Sequence, residues 1–138
     1  MEPAKQFSYL TSEIDLAYHE AARRLGQPDS AMRILYTICL NGGSCPLSDI
    51  VRMSGLSKQT VNSALRKLEQ SGAADTQGGR TKRVRLTEAG QSLARDTALR
   101  VLEIETEIYD SWSREELDSY ITLTERYLSA FKEKIKGL

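Results

Sequence analysis

Apolar residues recur along residues 6–25 at steps of three and four. Phe7, Leu10, Ile14, Ala17, Ala21 and Leu25 form one stripe, which predicts an amphipathic helix ended by Gly26 and Pro28. Ser30 stands where it would cap a second helix that turns Met32, Leu35, Ile38 and Cys39 inward and stops at Asn41-Gly42-Gly43. Pro46 suits the first turn of a short third helix, Leu47 to Met53, closed by Gly55. Ser57 caps a fourth helix, Lys58 to Gln70, ended by Ser71-Gly72. The period then changes. Ala73–Thr76 and Arg83–Leu86 read as short strands around a turn-rich stretch, Gln77 to Lys82. Val84 and Leu86 alternate with Arg83 and Arg85, so one face of the hairpin is buried and the other wet. Thr87 caps a long helix from Glu88 to Asp110. Ser113, with Glu116 three residues on, forms a capping box for a last helix through Ile135.

This order predicts a mainly α fold with a small β-wing, in one domain over residues 1–138. A short helix, a turn at Gly55 and a longer helix make a helix-turn-helix, and the hairpin that follows makes it a winged helix over residues 30–87. Residues 6–28 and 88–138 are then long helices outside that core. A winged helix needs only about 90 residues for its own core, so these helices need a partner surface, most simply that of a second copy.

The fourth helix sorts its residues by face. Val61, Leu65 and Leu68 point inward, while Gln59, Asn62, Ser63 and Arg66 lie on other faces. Asn and Gln match adenine, Arg matches guanine, and Ser bonds a base or a phosphate. Lys58 and Lys67 suit phosphates, and Ser57 and Thr60 stand at the helix start, where free amides favour an anion. In the hairpin tip, Gly78-Gly79 allows close approach of Arg80 to a narrow minor groove, with Lys82 and Arg83 beside it.

Charge sharpens this picture. The chain has 138 residues and no net charge. Between Arg52 and Arg85, however, eight basic residues face two acidic ones, a net +6, and the remainder carries −6. Such a footprint suits double-stranded DNA. No apolar run reaches the length of a membrane span and no export signal is read, so the cytoplasm is expected. Cys39 and Cys45 make neither a disulfide framework nor a metal site with the one histidine, His19, and no cofactor is expected. Cys39 falls on an apolar helix face. Cys45 precedes Pro46 at a helix start, a place that favours a thiolate, but no basic neighbour is adjacent in sequence. His19 reads either as a sensor between the first helix and the core or as an interface residue. An enzyme fits poorly: there is no second histidine, no phosphate-cradling loop, and Glu103, Glu105 and Glu107 alternate around a helix. The alternative is a winged helix used only for protein contacts, with no dedicated DNA site.

Leu56-Ser57-Lys58-Gln59-Thr60-Val61-Asn62-Ser63-Ala64-Leu65-Arg66-Lys67-Leu68-Glu69-Gln70-Ser71-Gly72 resembles the recognition helix of MarR-type transcriptional regulators. Arg80-Thr81-Lys82-Arg83-Val84-Arg85-Leu86-Thr87-Glu88-Ala89-Gly90 resembles their wing exit and following helix. The likeness in layout runs from Phe7 onward. It implies a dimeric winged-helix regulator whose first and last two helices form the dimer interface. It further implies a palindromic DNA site and repression that a small-molecule effector or oxidation relieves in many members. Many members carry an acidic residue two positions before the wing arginine; here Gly78 stands there.

Overall fold

The computed structural model describes residues 2–138. Its helices are α1 (Pro3–Arg24), α2 (Asp29–Leu40), α3 (Leu47–Ser54), α4 (Lys58–Gln70), α5 (Glu88–Asp96), α6 (Ala98–Asp110) and α7 (Arg114–Ile135). Its strands are β1 (Ser44–Pro46), β2 (Ala74–Gln77) and β3 (Arg83–Leu86), in the antiparallel order β1-β3-β2. The mainly α fold with a small wing is as the pattern predicts.

Three features differ from the sequence expectation. Ser44-Cys45-Pro46 is a strand, pairing Cys45 with Val84 and Pro46 with Arg83. Three residues carry too little alternation to announce themselves, and Pro46 tolerates the position because β1 is an edge. Pro28, not Ser30, stands at the start of α2: it is extended, and its carbonyl accepts from the Met32 amide at 3.0 Å. The long helix after the hairpin is broken at Thr97, whose hydroxyl donates back to the Leu93 carbonyl at 2.7 Å. The break lies in the backbone, where Thr97 leaves the helical region with φ −132° and ψ −90°; the same hydroxyl bond at Thr11, Thr37 and Thr124 leaves α1, α2 and α7 continuous.

The described residues form two compact units, one ending at Leu102 and one from Glu103 to Leu138. In the first, Ile34, Leu35 and Ile38 of α2 meet Ile50 of α3, Val61, Leu65 and Leu68 of α4, and Val84 and Leu86 of β3. Each such side chain contributes about 1.5–3 kcal/mol by leaving water. This shared core holds helix-turn-helix and wing together. The alternation on β3 is as expected: Val84 and Leu86 buried, Arg83 and Arg85 exposed.

The second unit contains the rest of α6 and all of α7. Tyr109 meets Trp112 edge-on at 5.6 Å, and Trp112 meets Tyr120 at 5.3 Å, fixing the corner between the helices. The Ser113–Glu116 capping box is present. No residue of α7 is buried, although it carries Tyr120, Ile121, Leu123, Leu128, Phe131 and Ile135. On α1, Phe7, Leu10, Ile14 and Leu16 are likewise at least half exposed.

Candidate nucleic-acid interface

The outward face of α4 begins with a cap. The Ser57 side chain accepts from the Thr60 amide at 3.1 Å and its hydroxyl donates to the Thr60 hydroxyl at 2.8 Å. Ser57 is therefore committed to starting α4, while the Thr60 hydroxyl, acting as acceptor there, keeps its own proton for another oxygen. Val61, Ala64, Leu65 and Leu68 are buried and fix the rotation of the helix. Opposite that stripe, the 100° step per residue puts Asn62, Arg66, Gln59 and Ser63 in one outward sector. All four are exposed. Lys58 and Lys67 are exposed on opposite flanks of that sector. Lys67 and Thr60 border a recess of about 460 Å3 facing Gln27 and Ser30.

The wing is tied to this helix by polar links as well as by the core. Glu69 of α4 accepts from the Thr76 hydroxyl of β2 at 3.0 Å. The Leu47 amide, at the start of α3, donates to the Lys82 carbonyl at 2.9 Å. Arg83 donates from Nε to the Ser44 hydroxyl at 3.0 Å, and Arg85 pairs with Asp75 at 3.1 Å across the two strands. Arg80 and Lys82 stand exposed at the tip. Gly78 has φ +97°, and a Cβ there would collide with the Thr81 carbonyl oxygen. The acidic residue common at this position in MarR-type proteins has no room in so tight a turn.

The hairpin leaves into α5 through a second fitted joint. The Thr87 side chain accepts from the Gly90 amide at 3.1 Å and its hydroxyl donates to the Gly72 carbonyl. A Cβ on Gly90 would collide with the Ala73 carbonyl oxygen. This contact explains why the stretch Leu86-Thr87-Glu88-Ala89-Gly90 ends in glycine.

The thiols behave unlike the sequence expectation for Cys45. It lies buried on β1 rather than at a helix start, and burial pushes its thiol up, with Asp49 acting the same way and Arg83 opposing. Arg83 is a basic neighbour supplied only by strand pairing. Burial also raises the half-buried Cys39. His19, without a visible partner in sequence, has one in space: its Nδ1 lies 2.6 Å from Asp29 Oδ2. Both border a cavity of about 660 Å3 also lined by Asp15, Tyr18, Arg33 and Tyr36. Arg33 and Tyr36 carried no sequence signal, since α2 reads only as a core helix. No group of three or more His, Cys, Asp or Glu that could hold a metal occurs among the described residues. Nor is any helix among them long and apolar enough to cross a membrane.

A helix-turn-helix sharing its core with a β-hairpin defines a winged helix-turn-helix protein. Residues 25–83, its core, match the model of the MarR family. The chain's fold is that of MarR-family regulators. It is similar to a MarR family regulator from Neisseria meningitidis, with a TM-score of 0.86 at 18% identity over 99% of this chain and 98% of that one. The S. aureus MepR–DNA complex gives a TM-score of 0.69 at 19% identity, covering 95% and 98%. The PcaV regulator from Streptomyces coelicolor, in complex with its natural ligand, gives 0.66 at 17%, covering 94% and 96%. No curated protein matches the sequence.

Proposed function

We propose that the chain is a sequence-specific transcriptional regulator, a repressor that binds a palindromic duplex as a homodimer. The observation that carries this reading is the exposed polar sector of α4 standing beside an exposed basic tip on one shared core. Gln59, Asn62, Ser63 and Arg66 read base edges in the major groove. Lys58, Thr60, Lys67, Lys82 and Arg83 serve the backbone, Ser57 holds the Thr60 hydroxyl in place for it, and Arg80 enters the minor groove. The solved MepR relative in complex with DNA supports the mode of binding.

Residues 6–28 and 88–138 supply the dimer surface. Their apolar side chains, half exposed along α1 and α7, are too extensive to leave in water. A two-fold axis pairs two recognition helices and so matches a palindrome. A small-molecule effector fits the 660 Å3 cavity under α1, and the ligand-bound PcaV relative supports such a control.

Selection of bound duplexes from a random pool tests the reading. It should return a two-fold symmetric site, with affinity that falls steeply as salt rises. Recovery of no preferred sequence, together with salt-independent binding, would leave a winged helix used for protein contacts.

A further inference from the structure

The last carbonyls of a helix have no partner within it. Those of α3 lie where the chain turns into the recognition helix. Arg33, on α2, reaches across to them: its Nε donates to the Ser54 carbonyl at 3.0 Å, and its Nη2 approaches the Met53 carbonyl at 3.5 Å. Ser54 is buried and braces the same turn, its hydroxyl accepting from the Leu56 amide at 3.2 Å and donating to the Val51 carbonyl at 3.5 Å. The chain then passes through Ser57 into α4. Tyr36 backs the arrangement, with the guanidinium carbon 5.6 Å from its ring centre. A cation at the end of α3 also meets the negative pole of that helix.

We propose that Arg33 is a positioning residue for DNA recognition, holding the helix-turn-helix turn so that α4 presents its outward sector at one angle. The proposal rests on the DNA-binding reading above. Arg33 lies on the cavity side of the turn, where it borders the 660 Å3 space, and acts on DNA only through α4. The angle matters unequally for the two kinds of contact. A bidentate bond from Arg66 or Asn62 to a base needs two aligned hydrogen bonds, which weaken steeply with misalignment. Lysine contacts to phosphates run through a flexible four-carbon stem and tolerate a tilt. Releasing the turn therefore lowers specificity before it lowers general affinity.

The test compares the full chain with Arg33→Met, which keeps an apolar stem without donors, and Arg33→Lys, which keeps one. Isotherms are taken on the selected duplex and on random duplex of equal length across a salt series. Arg33→Met should lower the ratio of selected to random affinity about tenfold, the scale of one lost base contact. Its salt slope should be unchanged. Arg33→Lys should recover much of the ratio, because one ammonium proton can still reach the Ser54 carbonyl. Loss of folded protein would reduce both affinities alike, so an unchanged ratio overturns the proposal. A shallower salt slope, which would make Arg33 a phosphate contact, overturns it too, as does Arg33→Lys behaving like Arg33→Met. If the unsubstituted chain prefers no duplex, the DNA-binding reading falls, and this proposal falls with it.

Discussion

Gly90 shows how much one missing methyl can govern. Its Cα faces the Ala73 carbonyl, so Gly90→Ala forces either the hairpin or α5 to move. Overpacking of this kind costs about 1–3 kcal/mol. The expected outcome is a urea midpoint lowered accordingly with an unchanged slope; a midpoint within error of the parent would show that the joint yields freely. On the recognition face, Arg66→Ala should weaken binding by about 1–3 kcal/mol and relax the preference at a single base pair. Isotherms on duplexes changed one pair at a time decide this, and equal loss on specific and random DNA would reassign Arg66 to a phosphate. At this scale the sequence revealed residue types and faces, because helical periodicity fixes both. It concealed contacts made by pairing distant segments. Cys45 beside Arg83, His19 beside Asp29 and Arg33 beneath Ser54 are separated by 38, 10 and 21 positions, and no local pattern announces them.

Among the described elements, α7 is the one that buries no residue within its own chain, and it carries a strong cap. Its cap is reciprocal: Ser113 accepts from the Glu116 amide at 3.1 Å, and the Glu116 carboxylate accepts from the Ser113 amide at 2.8 Å. Ser113→Ala should cost about 1 kcal/mol at neutral pH, read from urea unfolding. The bond from the Ser113 amide also holds the Glu116 carboxyl below its ordinary value of 4.5. A carboxyl lowered by folding stabilises fully above that ordinary value and loses the effect as pH falls through its lowered value. Glu116→Ala should therefore flatten the acid side of the stability profile, and an unaltered acid limb would refute the assignment. The helices themselves were legible because apolar stripes and caps agree at Thr87, Ser57 and Ser113. The strand β1 and the break at Thr97 were not. A three-residue edge strand is made by its neighbour β3, and the break is a single non-helical residue, Thr97, inside an apolar pattern that runs on across it.

Across the whole molecule, the zero net charge conceals a +6 segment from Arg52 to Arg85, and only its distribution exposes the candidate DNA face. The stripes of α1 and α7 pointed to a partner surface for the same reason, their length exceeding what one small core can cover. Sedimentation at micromolar concentration should give twice the chain mass of 15.5 kDa. Leu128→Glu with Phe131→Glu should shift the chain to monomer and weaken binding to the full palindrome far more than to a half-site. A wild-type chain sedimenting only as monomer would end the dimer reading.

The strand β1 gives the protein a ruler. Because it pairs with β3 and runs directly into α3, and because the Leu47 amide bonds the Lys82 carbonyl, the wing cannot slide relative to the helix-turn-helix. Only the tip from Gly78 to Thr81 is left to adjust. The distance from the outward sector of α4 to the base of the tip is thus set by the protein and not by the duplex, and Arg80 reaches only as far beyond it as the short tip allows. One base pair lengthens DNA by about 3.4 Å and turns it by roughly a tenth of a revolution. Arg80→Ala should weaken binding most on sites with A·T flanks, and inserting a single pair between the core half-site and such a flank should abolish that difference. A difference that survives the insertion would mean the wing follows the groove on its own.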